Sequence, residues 1–169
     1  MDYKPNVDAV LWLVDRVWTQ VLARYPGARF IIAGMNPTPN VRKLAELPGV
    51  EVTGYIDEIL PYYHKADIFV SPLQIARGIQ NKILQAMACE LPVIASSMGA
   101  EGILYENGIN ILIADTQDEF ISQVERITQD TGLRQSIGQN GRRLIEDHYS
   151  WESHLMVMDD ILKKIDTQA

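Results

Sequence analysis

Nine consecutive residues, Arg77-Gly78-Ile79-Gln80-Asn81-Lys82-Ile83-Leu84-Gln85, gather two cations, three amides and a glycine with no carboxylate among them. They follow an apolar run, Asp67-Ile68-Phe69-Val70-Ser71-Pro72-Leu73, and lead through Ala86-Met87-Ala88-Cys89-Glu90 to a second, Leu91-Pro92-Val93-Ile94-Ala95. The order reads as strand, glycine turn, helix, tight loop, strand. A helix N-terminus carries unsatisfied N–H groups and partial positive charge, which suits an anion and phosphate above all. Gly78 lets the backbone approach a ligand, and Gly78, Ile79 and Gln80 would offer amides to a diphosphate. Lys82 falls in the first helical turn within reach of the same oxygens, with Arg77 and Asn81 beside it. One such charge-assisted contact is worth roughly 1.5–3 kcal/mol. The plainer reading is that Gly78 only turns the chain and Lys82 is solvated, since neither a Gly-x-Gly-x-x-Gly nor a Walker lysine motif is present.

Gln85 lies about one turn beyond Lys82, on the helical face of Asn81. An amide there can hydrogen-bond a ribose hydroxyl pair or simply face water. Tyr55-Ile56 ends the preceding apolar strand and can wall a nucleobase, although pattern alone favours Tyr55 as core packing. Other chemistry is poorly supported. His64, His148 and His154 fall on three separate helices without metal-ligand spacing, and no nucleophile elbow or partnered serine or cysteine is visible. Trp12, Trp18 and Trp151 occupy apolar helical positions and read as packing. The acidic pairs Glu146-Asp147 and Asp159-Asp160 read as solvated faces.

The elements that must position these groups follow from periodicity. Val7, Val10, Leu11, Val14, Val17, Trp18, Val21, Leu22 and Tyr25 keep helical spacing, predicting a helix over 6–25 that Pro26-Gly27 stops. Strands are expected over 29–34, 50–55, 67–73 and 108–114. Helices are expected over 37–46 (opened by Asn36 or Thr38), 56–66, 118–130, 133–148 and 151–165, with Ile59, Leu60 and Tyr63 of the 56–66 helix facing inward. Alternating strands and helices, with several continuous apolar strands, define an α/β protein with a doubly wound, mostly parallel sheet covered on both faces. Ligands in such sheets bind beyond the carboxyl ends of strands, where Gly34, Tyr55 and Arg77 fall.

Composition narrows the function further. The chain has 169 residues, 47% of them hydrophobic, and fits one domain over 1–169. No apolar run is long enough to span a bilayer, and Met1-Asp2-Tyr3-Lys4-Pro5-Asn6 does not resemble a secretion signal. The single cysteine, Cys89, fits a reducing, cytoplasmic setting and is expected to be buried and inert. A net charge of −7 argues against nucleic acid as partner.

The same residues resemble a known family. Ile83-Leu84-Gln85-Ala86-Met87-Ala88-Cys89-Glu90-Leu91-Pro92-Val93-Ile94-Ala95 is similar to the E-A-M-A-x-G-x-P-V-V-A stretch of group 1 (family 4) retaining glycosyltransferases. Pro5-Asn6 resembles the family's helix entry. Phe30-Ile31-Ile32-Ala33-Gly34, Val52-Thr53-Gly54-Tyr55-Ile56, Asp67-Ile68-Phe69-Val70-Ser71-Pro72, Gly102-Ile103, Asn107-Gly108 and His148-Tyr149-Ser150-Trp151-Glu152 resemble its later motifs, in order. The opening residues and Ile75-Ala76-Arg77-Gly78-Ile79-Gln80-Asn81-Lys82 look like a subgroup of bacterial exopolysaccharide sugar transferases. The resemblance implies the C-terminal, Rossmann-like half of a GT-B enzyme that holds a nucleotide sugar. It places the acceptor, a glycan or lipid-linked sugar, on an absent N-terminal domain, and the first strand of the C-terminal half just before residue 1. It also implies metal-independent transfer without a cofactor, peripheral contact of the full enzyme with a membrane, and no turnover by this half alone.

Residue by residue, the resemblance assigns the diphosphate to Gly78, Ile79, Gln80, Asn81 and Lys82, the ribose to Gln85 and the base to Tyr55 and Ile56. The family's paired glutamates are replaced by Arg77 and Gln85. Gln85 can still hydrogen-bond ribose, whereas Arg77 cannot imitate a carboxylate and suits charge stabilisation on a departing nucleotide. The alternative is a catalytically decayed domain kept as a binding or regulatory module, motivated by the lost glutamates and the acidity. A nucleotide-sugar epimerase half lacks an acid–base set here, and a phosphoacceptor receiver domain lacks acids at the end of an early strand.

Overall fold

A computed structural model describes residues 1–150; the helix expected over 151–165, with Trp151 and His154, lies outside the described residues. The chain opens with α1 (Lys4–Leu13), which runs through a π turn at Val14–Trp18 into α2 (Thr19–Arg24). Helix begins slightly earlier than the apolar spacing predicts because Pro5 is tolerated in a first turn, where its missing N–H costs nothing. It stops at Tyr25, next to Pro26. Val10, Leu13, Val14, Val17, Trp18 and Val21 form its buried face, and Trp12 packs edge-on against Phe120 at 5.5 Å between ring centres.

β1 (Phe30–Ala33) pairs in parallel with β2 (Val50–Gly54). Between them lie α3 (Pro39–Lys43), capped by the Thr38 hydroxyl accepting from the Val41 amide, and a 3₁₀ turn at Leu44–Glu46. After α4 (Leu60–Lys65) come β3 (Phe69–Ser71), α5 (Asn81–Ala88), β4 (Val93–Ala95), β5 (Leu112–Ile113), α6 (Gln117–Gln129) and α7 (Thr131–His148). Every strand pairing among the described residues is parallel, in the orders β1-β2 and β3-β4-β5. One core serves both sheets: Val10, Val17 and Trp18 join Ile32 of one and Ile94 and Leu112 of the other. The expected α/β architecture is therefore present. No helix among the described residues is long and apolar enough to cross a membrane.

Three expectations are corrected. Helix over 56–66 contracts to Leu60–Lys65 with Pro61 in its first turn, since a proline in the middle of the longer helix would lack its N–H and clash with the carbonyl one turn back. Tyr63 is buried as expected, but Ile59 and Leu60 are 37% and 51% exposed. The strand over 108–114 shrinks to two residues, because the Asn110 side chain accepts from the Glu106 amide at 2.9 Å and holds a turn before it. Cys89 is half-buried rather than buried, at the corner after α5. Burial pushes its thiol pKa up, against a smaller opposing pull from Arg142.

α5 is seated by α7. Ile83, Ala86 and Met87 of α5 are fully buried, and α7 approaches them through two glycines. A Cβ on Gly141 would lie 3.6 Å from the Met87 side chain, whereas one on Gly138 would lie 2.1 Å from the Glu90 carbonyl oxygen. The second distance is impossible without moving backbone. Gly138→Ala should therefore lower unfolding stability by about 2 kcal/mol or more in urea titration, while Gly132→Ala, nearer the exposed start of α7, should cost clearly less.

Candidate functional site

In parallel strands all carboxyl ends share an edge, so the turn after β3 opens where a doubly wound sheet binds ligands. Gly78 sits in that turn at φ +66°, in the left-handed region, with open space where a Cβ would stand. Its glycine is required by conformation rather than by crowding. Gln80 then adopts extended angles as the residue before α5, and no side chain caps the helix. The Gln80 amide instead turns back to the Gly78 carbonyl at 3.1 Å. The Ile83 and Leu84 amides close onto the Gln80 carbonyl. The Asn81 and Lys82 amides have no acceptor among the described residues, so the first turn presents donors outward.

The side chains around this turn differ in how far they are committed. Arg77 is exposed and makes no ion pair or hydrogen bond among the described residues. Lys82 is half-buried, and burial pulls its pKa below the ordinary lysine value of 10.5. Its ammonium donates to Asn6 Oδ1 at 2.5 Å, reaching from α5 to the first turn of α1. That contact also fixes geometry: α1 begins beside the carboxyl end of β1, where Met1 packs over Gly34. Lys82 thus ties the carboxyl ends of the two sheets together.

Gln85 is exposed on α5 and its Oε1 accepts from the Tyr63 hydroxyl at 3.3 Å; the same hydroxyl lies 3.3 Å from the Lys82 carbonyl. Burial first, and charge on Cys89 second, pushes the Tyr63 phenol up to about 12, so it remains a donor at neutral pH. With Oε1 engaged, the Gln85 amide N–H₂ has no partner among the described residues and is the group left to donate. A glutamate at this position could only accept. Tyr55 is 69% exposed beyond Gly54, which corrects the packing reading, and Ile56 is half-buried beside it.

The structure brings Arg77, Gly78, Ile79, Gln80, Asn81, Lys82 and Gln85 onto one βα corner. Tyr55 and Ile56 stand past the end of β2, in the other sheet. Two participants, Asn6 and Tyr63, are invisible to sequence reasoning as site residues. Asn6 reads only as a helix start, and Tyr63 only as an apolar inward position whose hydroxyl has no local partner. Among the described residues no three His, Cys, Asp or Glu side chains gather to hold a metal ion. A polar cleft of about 380 Å³, lined by His64, Asp67, Cys89, Glu90, Arg134 and Gln139 among others, opens instead at the amino ends of β3 and β4. Its position opposite the α5 turn places it outside the edge where such sheets bind ligands.

With this geometry in view, comparison with known proteins is informative. Residues 1–130 match the family model for glycosyl transferases group 1, and the chain belongs to that family. It is 27% identical over 127 residues to the capsular polysaccharide biosynthesis glycosyltransferase CapM of Staphylococcus aureus, a stretch covering 72% of this chain and 33% of CapM. It therefore spans only about a third of that relative. Among solved structures it is similar to the C-terminal domain of LpcC, a group 1 glycosyl transferase from Francisella tularensis (TM-score 0.68, 21% identity, 86% of this chain and 79% of that one). It is also similar to S. aureus TarM, solved with UDP, fondaparinux and alpha-GlcNAc-glycerol (TM-score 0.76, 20% identity, 92% and 32%). The fold is that of a GT-B C-terminal domain.

Removing the Tyr63 hydroxyl tests the inner support of this corner. Tyr63→Phe leaves packing intact and should cost about 1 kcal/mol in thermal unfolding, the usual worth of a neutral hydrogen bond.

Proposed function

We propose that this chain is the donor-binding domain of a metal-independent, retaining glycosyltransferase of family 4, acting in cell-surface polysaccharide or glycolipid synthesis. The observation that carries this reading is the uncapped first turn of α5, on the same turn that carries the half-buried, carboxylate-free cation Lys82. Amides at 78–82 and Lys82 hold the diphosphate, Gln85 donates to the ribose, and Tyr55 with Ile56 lines the base. In the transfer, the bond from the sugar's anomeric carbon to the diphosphate oxygen breaks. A bond to the acceptor oxygen forms, and the acceptor's proton leaves with the diphosphate. Arg77 supplies positive charge where the departing nucleotide gains negative charge. Supporting the reading, a variant of the similar TarM was solved with UDP bound.

The acceptor site belongs to another half of the enzyme, which is why the isolated domain should not turn over. Met35, Tyr55, Ile75, Ile79 and Met98, each shortly past the carboxyl end of a strand, are 54%, 69%, 60%, 46% and 42% exposed. An apolar rim of this kind suits a cleft closed by a second domain. The two sheets support the same view. Phe30 donates to Gly49 and Phe69 to Pro92, so Ile31 of β1 and Val70 of β3 turn their backbone groups to edges that no described residue pairs. One parallel strand between them would complete a single sheet. The full enzyme works in the cytoplasm, peripherally on the membrane that carries its acceptor.

Calorimetric titration with UDP, GDP and ADP tests the reading. One of them should bind, and Lys82→Ala should weaken it roughly tenfold to hundredfold. No heat from any of the three with the folded chain would overturn it, and an unchanged affinity in Lys82→Ala would favour the decayed module. A pH series adds a sign. The ammonium is the binding form and exists below its pKa, so affinity should fall as pH rises, at lower pH than an ordinary lysine would give.

A further inference from the structure

Lys82 has an unusual partner for a half-buried cation. Taking an ammonium out of water is costly and is ordinarily offset by a carboxylate. Here the partner is a neutral amide oxygen, Asn6 Oδ1 at 2.5 Å, contributed by a helix 76 residues away in sequence. The acid nearest on α1, Asp8, is paired with Lys4 at 2.8 Å. No ion pair joins Lys82 to any carboxylate among the described residues. A neutral acceptor fixes the direction of the ammonium without cancelling its charge, and it occupies one of three donors. Asn6 itself is anchored, half-buried in the first turn of α1, with its amide on the Tyr3 carbonyl at 3.0 Å.

We propose that Asn6 is a positioning residue for donor binding: it aims the Lys82 ammonium at the first turn of α5 while leaving its charge and remaining donors for the diphosphate. The inference rests on the reading of Lys82 as a diphosphate ligand given above, but makes its own demand on Asn6. Because Asn6 acts only through Lys82, the two residues must be energetically coupled, and a carboxylate at position 6 must harm binding although it would make a stronger partner for the lysine.

The test is a double-mutant cycle on the full chain with UDP as titrant, and with GDP or ADP if UDP does not bind. Asn6→Ala should weaken binding roughly five- to tenfold. Asn6→Asp should weaken it at least as much while leaving the melting temperature equal or higher, an outcome no merely structural role produces. The Asn6→Ala/Lys82→Ala double variant should bind no worse than Lys82→Ala alone. Wild-type affinity in Asn6→Ala, unimpaired binding in Asn6→Asp, or additive losses in the double variant would overturn the inference while leaving the diphosphate reading intact. If no nucleotide binds, the diphosphate reading and its dependent role fail, and nitrogen-15 NMR of the lysine ammonium groups still tests the contact itself. A slowly exchanging Lys82 signal that disappears in Asn6→Ala supports the aimed ammonium, and its absence from the wild type contradicts it.

Discussion

The seating of α5 is the constraint on which the site depends. Its inner face is fully buried through Ile83, Ala86 and Met87, and α7 closes over it where Gly138 meets the Glu90 carbonyl. A helix held this tightly cannot rotate to hide its first turn. The donors there stay presented, and Lys82 and Gln85 stay about one turn apart on a fixed axis. Tyr63 supports the same helix from the other side, with one hydroxyl proton shared between the Lys82 carbonyl and Gln85 Oε1. Rigidity of this sort lets backbone amides bind an anion without an ordering cost at each encounter.

Where the resemblance expects two glutamates, this chain carries Arg77 and Gln85, and the electrostatics of the corner change in one direction. Arg77 in place of an acid, and Gln85 in place of another, remove two negative charges and add a positive one in a chain whose net charge is −7. The carboxylate-free stretch 77–85 is thus a local cationic spot on an acidic protein. Such a spot suits a multiply charged anion, as the proposed diphosphate site requires. Gln85 keeps hydrogen-bonding capacity but, with Oε1 held by Tyr63, has donors rather than acceptors left to offer.

Much of this was legible in the sequence, for identifiable reasons. The first helix, the parallel strands and α5 with its glycine turn are encoded by local spacing, and the apolar strands Phe30–Ala33 and Val93–Ala95 are short runs bounded by breakers. Positions settled by a helix's true start or by tertiary contacts were not legible. Ile59 and Leu60 obey helical spacing but remain exposed because Pro61 delays the helix start. Tyr55 looks like packing yet projects outward, since nothing in the chain covers the end of β2 on that side among the described residues. The Asn6–Lys82 contact joins residues 76 apart that no periodicity relates, and only the tertiary fold brings them together.

The account turns on where a nucleoside diphosphate settles. A crystal structure of the chain grown with UDP, or with GDP or ADP if calorimetry selects one of them, tests it most directly. The prediction is diphosphate oxygens within hydrogen-bond distance of amides at 78–82 and of the Lys82 ammonium, with the base toward Tyr55. A nucleotide seated instead in the cleft by Cys89 and Arg134, with the α5 turn facing solvent, would contradict it.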